Sequence, residues 1–218
     1  MTRIQLACLD MAGTTVADDG MVERAFEHAL VAMSVDDVRG AMSYVRQTMG
    51  RSKIEVCRAL FADEDEAQTA NELFEKEYGA RCAAGEAQPI PGAEGAIRTM
   101  RDGGTAVCLT TGFSPVTRDT LIQALGWTDL VDLALSPADA GRGRPFPDMI
   151  LTAVLRLNVD DVRAVAVAGD TTSDLLAGTR AGASIVAGVL TGAHDRADLE
   201  VAPHTHILRS IAELPELF

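Results

Sequence analysis

Four short polar segments of the chain carry residue types that could transfer a phosphoryl group. They are "LDMAGTT" with Asp10, "TTGF" with Thr111 and Gly112, "GRGRP" with Arg144, and "GDTTSD" with Asp170 and Asp174. The carboxylate of Asp10 could attack phosphorus, and Asp10 and Asp170 could share a Mg²⁺ ion, which prefers carboxylate oxygens and phosphate. Thr111, the N–H of Gly112 and the Arg144 guanidinium could hold the charge that develops on the phosphoryl oxygens.

Each of these residues also has an ordinary structural explanation, since an Asp after a strand often caps a helix and a Thr-Gly pair often only forms a turn. The ordered occurrence of all four segments favours a site. Asp174, one helical turn after Asp170, is expected on the same helix face, within reach of the water molecules of the metal. One position is unexpected: a general acid commonly stands two residues after such a nucleophile, where this chain has Ala12. Either the site is inactive, or another residue supplies the missing function.

Short apolar runs precede these polar residues and predict the strands that position them. The runs are 4–10, 105–112, 130–136, 162–170 and 184–190, and helical periodicity appears at 92–102, 114–125, 147–157 and 172–181. Continuous rather than alternating hydrophobicity is typical of parallel strands covered on both faces. Strand–helix alternation predicts a doubly wound α/β fold with a mostly parallel sheet, in which ligands bind beyond the carboxyl ends of the strands.

The stretch from 18 to 88 interrupts this alternation. It has helical patterns at 20–33, 36–48, 52–61 and 64–83 and no clear strand, and the proline-rich "AQPIPG" (87–92) marks the return to the sheet. The sequence therefore predicts a core domain made of residues 1–17 and 89–218, which holds the catalytic site. A small helical cap domain of residues 18–88 is inserted after the first strand.

Composition limits the possible partners. The formal charge of −13 argues against a nucleic-acid or anionic-membrane partner, but it does not exclude a small phosphorylated substrate, which needs only a few local donors. The four cysteines show no C-x-x-C spacing, and Cys8 and Cys108 lie in apolar runs, so buried reduced thiols are expected. The N-terminus does not resemble a signal peptide and no apolar run has the length of a membrane span, which predicts a cytoplasmic protein.

The segments "DMAGTT", "TTGF", "GRP" and "GDTTSD", with a helical insert after the first, resemble those of the haloacid dehalogenase-like hydrolases. Within that superfamily the chain is similar to the phosphonatase branch, through Ala12 and the cap segment "MGRSKIEVCRAL". The resemblance implies catalytic roles for Asp10 and Lys53, a homodimer through the cap, and a small phosphonate or phosphate as substrate. The implied substrate-binding residues are Thr111, Gly112, Arg144 and Met49, and the implied Mg²⁺ ligands are Asp10, Ala12, Asp170 and Asp174.

The same resemblance implies that Lys53 forms a Schiff base with an aldehyde substrate. This would explain how the site can work without a general acid at position 12, where the chain has Ala12. Breaking a C–P bond leaves electrons on carbon, and a protonated imine at the next carbon accepts them as an enamine. Such a leaving group needs no acid at position 12. The chain departs from the branch at Phe113, where a Tyr is usual, and at Val56, where a His is usual.

The sequence itself also singles out Lys53. The chain has 17 Arg and only two Lys, so its solvated cations are nearly always Arg. "SKIE" predicts a capping box with Ser52 as N-cap and Glu55 reaching back, which makes Lys53 the first helical residue. The helix dipole and Arg51 are then expected to lower the pKa of Lys53, and partial burial would add to this effect.

Three functions are compatible with these patterns. The favoured one is a Mg²⁺-dependent C–P hydrolase of the phosphonatase type. The second is a phosphatase that acts on a small phosphate monoester, against which Ala12 counts. The third is a non-catalytic sensor of a phosphorylated ligand, against which the retention of Asp10 and Asp170 counts.

Overall fold

The computed structural model describes residues 3–218. Within them, six strands form a single sheet in the order β3-β2-β1-β4-β5-β6, and every neighbouring pair is parallel. The strands are β1 (Leu6–Asp10), β2 (Ala106–Thr110), β3 (Leu133–Leu135), β4 (Val165–Gly169), β5 (Ile185–Val189) and β6 (His206–Leu208). The chain moves outward from β1 in one direction and then returns to build the other half from β4. The predicted doubly wound parallel α/β fold is confirmed.

Helices cover both faces of the sheet because the strands are apolar on both faces. Leu6 and Cys8 of β1 pack on one side, against Ala153 and Ala177, whereas Ala7 and Leu9 pack on the other. The helices that follow residue 88 are α5 (Ala93–Asp102), α6 (Pro115–Ala124), α7 (Pro137–Ala140), α8 (Asp148–Arg156), α9 (Thr172–Ala181) and α10 (Arg196–Glu200). The four cysteines are buried and free, as expected.

Four helices and no strand lie between β1 and α5, as the pattern of residues 18–88 predicts. They are α1 (Met21–Ala32), α2 (Val38–Gln47), α3 (Lys53–Leu60) and α4 (Glu64–Ala83). The long helix α4 packs on α1 and α3 and also contacts α6 of the sheet layer. Division of the chain into a core of 1–17 and 89–218 and a cap domain of 18–88 stays a prediction.

One contact between α4 and the start of α6 joins these helices to the sheet layer. The carboxylate of Glu75 accepts hydrogen bonds from the Ser114 N–H at 3.0 Å and from the Ser114 hydroxyl at 2.8 Å. The first turn of α6 therefore has a cap that comes from α4 as well as one from Ser114 itself, whose oxygen accepts from the Thr117 N–H. We call these two hydrogen bonds between Glu75 and Ser114 the Glu75–Ser114 contact.

The sequence predicted two strands too long. Residues 162–164 form a 3₁₀ turn, in which Asp161 caps the chain by accepting from the Arg163 N–H at 2.8 Å, so β4 begins only at Val165. The run 130–136 contributes only the three residues of β3, which lies at the sheet edge. In the first case a local polar contact delays the start of the strand within the apolar run.

Candidate active site

The polar residues predicted for the site meet beyond the carboxyl ends of the central strands. Asp10 is the last residue of β1, Thr111 follows β2, and Asp170 follows β4. Arg144 reaches the same place from the loop between α7 and α8. Because parallel strands all end at one edge of the sheet, residues that are distant in sequence become neighbours there.

A tight loop after β1 holds Asp10 in place. The carbonyl oxygen of Met11 accepts hydrogen bonds from the N–H groups of Thr14, Thr15 and Val16 at 2.8–3.2 Å. The loop turns at Gly13, whose φ of 85° favours glycine, and a Cβ there would lie 2.4 Å from Asp170 Oδ2. The glycine thus allows the loop after β1 to lie directly against the carboxylate that follows β4.

Asp170 is buried and receives two hydrogen bonds. Its Oδ1 accepts from the Thr14 hydroxyl at 3.2 Å and its Oδ2 from the Ala193 N–H at 2.7 Å. Asp170 precedes Thr171, the N-cap of α9, so it does not share a helix face with Asp174 as the sequence suggested. The two carboxylates converge for another reason: Asp174, three residues after the cap, turns back to accept from the Thr171 N–H at 3.1 Å.

Arg144 joins two of the carboxylates. Its Nη1 donates to Asp10 Oδ1 at 2.5 Å and also to Asp174 Oδ1. The side chain is nearly fully buried, and its Nε–H has no hydrogen-bond partner among the described residues. A buried donor without an acceptor is costly, so this N–H is available for an anionic ligand.

The carboxylates of the site suit a hard cation. Asp10, Asp170 and Asp174 each offer an oxygen, and these oxygens lie within 4.8 Å of one another. Oxygen ligands in such a cluster fit Mg²⁺. Ala12 has no side-chain ligand atom, so only its backbone carbonyl could take part.

The three buried carboxylates of this cluster disfavour one another's negative charge. Burial raises the pKa of Asp10 well above its usual value. The charges of Asp174 and Asp170 add to this rise, and the charge of Arg144 opposes it. Burial and the Asp174 charge likewise raise the pKa of Asp170 to about 6. A divalent cation among these oxygens would favour the ionised forms, so the residues present fit the metal that the sequence predicts.

Lys53 is the first residue of α3 and points its amine at aromatic rings. Its Nζ lies 5.4 Å from the ring centroid of Phe113 and 5.9 Å from that of Phe26. The residue is only 6 % exposed, and no ion pair within residues 3–218 includes it. A lysine that is buried without a carboxylate partner is uncommon.

The pKa of Lys53 is lowered, as the sequence predicts, but by different groups from those expected. Burial lowers the pKa of Lys53, and the cation that adds to this effect is Arg144 rather than Arg51, whereas Asp18, Asp10 and Glu75 oppose it. The predicted direction is therefore found, but burial is its main cause.

The predicted capping box at "SKIE" is wrong. Ser52 is the N-cap of α3, but its side chain makes no capping hydrogen bond. The carboxylate of Glu55 instead pairs with Arg58 at 2.6 Å, one turn along the exposed face. The Lys53 N–H donates to the Gly112 carbonyl at 3.0 Å, so the loop after β2 satisfies the first N–H of this helix.

The remaining predicted substrate residues lie around the same space. Thr111 is buried and its hydroxyl accepts from the Phe113 N–H at 3.2 Å, which leaves its proton free to donate. A Cβ on Gly112 would lie 2.3 Å from the Arg51 carbonyl oxygen, so glycine allows the chain before α3 to approach the loop. Met49 is half-buried in that chain segment.

A small inner cavity of about 30 Å³ connects these groups. Its lining includes Asp10, Ala12, Met49, Lys53, Thr111, Gly112, Arg144 and Asp170. Of the predicted site residues only Asp174 is absent from the lining, and it contacts Arg144, which is part of the lining. The sequence missed Asp18, which also lines the cavity. In the sequence Asp18 stands in an ordinary Asp-Asp-Gly turn before a helix, and nothing marks it as a neighbour of Lys53.

The fold and site together define an α/β enzyme with its ligand site at the carboxyl edge of a parallel sheet. Comparison with known proteins gives the family. Residues 4–182 match the family model described as haloacid dehalogenase-like hydrolase, and the chain belongs to this family. The protein is therefore a hydrolase.

Individual relatives are more distant. A phosphonoacetaldehyde hydrolase from Pseudomonas putida (strain W619) is 28% identical over 207 residues, which cover 88% of this chain and 74% of the relative. Two solved structures share the fold. A phosphonoacetaldehyde hydrolase like protein from Oleispira antarctica has a TM-score of 0.83 at 24% identity, with 98% of this chain and 91% of the other covered. A predicted phosphoglycolate phosphatase from Haemophilus somnus 129pt also has a TM-score of 0.83, at 16% identity, with 100% and 99% covered.

The structure also bears on membrane association. Among the described residues, no helix combines the length and the apolar character that a bilayer span requires.

Proposed function

We propose that this protein is a Mg²⁺-dependent hydrolase of the phosphonatase type, which cleaves the C–P bond of phosphonoacetaldehyde or a related small phosphonate. The observation that carries the proposal is the position of Lys53. Its amine is buried, has no ion-pair partner, and lines the same cavity as Asp10. A solvated surface lysine would satisfy none of these conditions.

The chemistry follows from these two side chains. The Lys53 amine attacks the aldehyde carbon, and loss of water gives an imine. The Asp10 carboxylate then attacks phosphorus, the C–P bond breaks, and its electrons form an enamine with the imine nitrogen as the acceptor. The phosphoryl group is now on Asp10, and water hydrolyses it to phosphate. The enamine carbon takes a proton to give the imine of acetaldehyde, and water hydrolyses this imine to acetaldehyde and the Lys53 amine. No oxygen leaving group is protonated, which agrees with Ala12 in place of an acid.

Binding of the phosphonate group is the task of the surrounding donors. Arg144, whose Nε–H has no partner among the described residues, and Thr111, whose hydroxyl proton is free to donate, both line the cavity that contains Asp10. Mg²⁺ held by Asp10, Asp170 and Asp174, with the Ala12 carbonyl, would neutralise charge on the phosphonate oxygens. Burial raises the pKa of Asp10, and such neutralisation would favour the ionised nucleophile.

The names of the relatives support this proposal. The Pseudomonas putida relative is called a phosphonoacetaldehyde hydrolase, and the solved Oleispira antarctica protein is called like one. Lys53 and Ala12 are the residues through which this chain would share that chemistry.

The second candidate is a phosphatase that acts on a small phosphate monoester. The fold of the Haemophilus somnus protein, described as a predicted phosphoglycolate phosphatase, favours it equally. Ala12 counts against it, because an alkoxide leaving group needs a proton that no side chain at this position supplies. A non-catalytic sensor has no support, since the family consists of hydrolases.

Reductive trapping tests the proposal. Borohydride added with acetaldehyde should convert a Lys53 imine into a stable secondary amine, and peptide mass mapping should place the adduct on the peptide that contains Lys53. The exposed Lys76 is the only other lysine in the chain, so Lys76→Arg is a matched control.

Lys53→Arg keeps the charge but removes the nucleophile, because a guanidinium stays protonated. It should abolish C–P cleavage of phosphonoacetaldehyde and leave phosphate binding with Mg²⁺ intact, whereas Lys76→Arg should match the wild type. Wild-type turnover of phosphonoacetaldehyde by Lys53→Arg would disprove the imine mechanism. High turnover of phosphate monoesters with no adduct would favour the phosphatase.

Three further expectations stay predictions. They are a homodimer formed through the cap helices, the absence of nucleic-acid and membrane partners, and a cytoplasmic location. Sedimentation velocity of the wild type would test the first.

A further inference from the structure

Asp18 lies where two cavities meet. It lines the inner cavity together with Lys53 and Asp10, and it also lines an outer cleft of about 350 Å³. Met49, Asp170 and Ala193 are the other residues common to both linings. The half-buried carboxylate of Asp18 therefore stands at the neck between the buried amine and the outer cleft.

The other acidic groups whose charges act on Lys53 already have tasks. Asp10 binds Arg144, and Glu75 accepts both hydrogen bonds of the Glu75–Ser114 contact. Asp170 lines the inner cavity as well, but its two oxygens are bound to Thr14 and Ala193. Phe113 and Val56 carry no exchangeable side-chain proton. Among the described residues that line the inner cavity, Asp18 is the remaining carboxylate.

We propose that Asp18 exchanges protons with Lys53 and with the carbinolamine that Lys53 forms, and passes them to the outer cleft. Asp18 would be an acid–base residue for the imine steps, because it exchanges protons with the reacting nitrogen and oxygen, and it would not act on phosphorus. This inference rests on the proposed imine chemistry and adds to it the group that handles its protons.

The proton balance needs one such group. The Lys53 ammonium first gives a proton to the Asp18 carboxylate through a water molecule in the cavity, and the free amine then bonds to the aldehyde carbon. A second proton passes from that nitrogen to the carbonyl oxygen, which becomes a hydroxyl. The Asp18 carboxylic acid then gives its proton to that hydroxyl, the C–O bond breaks, water leaves, and the nitrogen lone pair forms the C=N bond. The aldehyde and the Lys53 ammonium become a protonated imine and water, and Asp18 ends as the carboxylate it began as. Hydrolysis of the product imine runs the same steps in reverse.

The charges around the pair suit this exchange. Burial raises the pKa of Asp18, while Lys53 and Arg24 oppose the rise. Burial and Arg144 lower the pKa of Lys53, while Asp18, Asp10 and Glu75 oppose the fall. The two pKa values thus move toward each other, which lowers the free energy needed to transfer a proton between the two groups.

The test uses Asp18→Asn with two controls. Asp18 Oδ1 accepts from the Val22 N–H at 3.0 Å at the start of α1, and Asn keeps an acceptor there, so the helix start is preserved. Asp18→Glu restores the carboxylic acid, and Asp19→Asn removes the neighbouring exposed charge. The measurement is the rate at which borohydride traps the Lys53 imine with acetaldehyde, with and without added formate.

We expect Asp18→Asn to trap about a hundredfold more slowly, with formate restoring part of the rate, since a general acid–base group of this kind contributes about that much. Asp18→Glu should recover part of the rate, and Asp19→Asn should equal the wild type. A purely structural role would show no rescue by formate. Trapping by Asp18→Asn at the wild-type rate would overturn the proposal.

A second measurement separates this proposal from the proposed function. The pH dependence of Lys53 acetylation by acetic anhydride reports the titration of its amine whether or not an imine forms. If Asp18 exchanges protons with Lys53, the midpoint should move to lower pH in Asp18→Asn, because a neighbouring negative charge is lost. Failure of the wild type to form an adduct, together with such a shift, would reject the imine and keep the Asp18–Lys53 pair. An unchanged midpoint would reject the pair.

Discussion

The Asp170 carboxylate should make the metal-free protein less stable at neutral pH than at acid pH. Its pKa rises from 3.8 to about 6 because it is buried beside Asp174. An acid whose pKa is raised on folding contributes stability below its unfolded pKa, and this contribution is lost as the pH rises through the folded pKa. A shift of about two units corresponds to about 3 kcal/mol, which should be lost between about pH 4 and pH 6.

Asp170→Asn removes this charge and keeps the local hydrogen bonds. The Asn carbonyl can accept from the Ala193 N–H, and its amide can donate to the Thr14 hydroxyl, which then acts as an acceptor. In EDTA at pH 7.5 the variant should therefore unfold with a free energy about 3 kcal/mol above that of the wild type, and at pH 4 the two should be equal. Urea denaturation at the two pH values measures both differences.

Mg²⁺ should reverse the order at neutral pH, because only the wild type retains the full carboxylate set and ligand binding stabilises the native state. Asp19→Asn, which changes an exposed acid, serves as the control and should follow the wild type throughout. The reasoning would be refuted if Asp170→Asn in EDTA were no more stable than the wild type at pH 7.5, or if its advantage were the same at pH 4.

Other substitutions test separate features of the site. Asp10→Asn should keep the fold and abolish turnover, and EDTA should abolish wild-type turnover reversibly; full activity in EDTA would remove the metal from the mechanism. Gly112→Ala should lower the free energy of unfolding, measured in urea, by about 1–3 kcal/mol and raise KM, because its Cβ would lie 2.3 Å from the Arg51 carbonyl oxygen. Unchanged values would show that the loop moves easily to make room. Tyr78→Phe should raise the unfolding free energy by about 1 kcal/mol, because the buried Tyr78 hydroxyl has no hydrogen-bond partner among the described residues. Tyr44→Phe on half-buried Tyr44 is its control, and destabilisation by Tyr78→Phe would mean that the hydroxyl has a partner.

The sheet could be predicted from the sequence because its strands are buried on both faces. Continuous apolar runs such as 4–10 have few other interpretations, and the polar residue that ends each run marks the ligand edge. The positions of Asp10 and Asp170 therefore follow from topology alone. The ends of the runs were less predictable, since a single side chain such as Asp161 can turn the chain into a 3₁₀ helix before the strand begins.

Contacts between distant segments could not be predicted. The "SKIE" motif indicated a local capping box, but the Gly112 carbonyl, 59 residues beyond Lys53, takes the first N–H of α3. Asp18 was missed for the same reason, because its significance comes from a cavity that only the folded chain forms. The raised pKa of Asp170 depends likewise on burial and on Asp174, and the spacing of the two residues does not reveal it.

The small size of the inner cavity has a consequence for the binding of substrate. A space of about 30 Å³ holds one or two water molecules and is too small for a phosphonate, so groups around it must move before a substrate can enter. Because the Glu75–Ser114 contact joins α4 to α6, a movement of α4 away from the sheet layer would break two hydrogen bonds to a carboxylate, each of which opposes the movement by about 1.5–3 kcal/mol. The apparent affinity for a substrate would then be reduced by the fraction of molecules that is open, and the closed form would keep bulk water from the site.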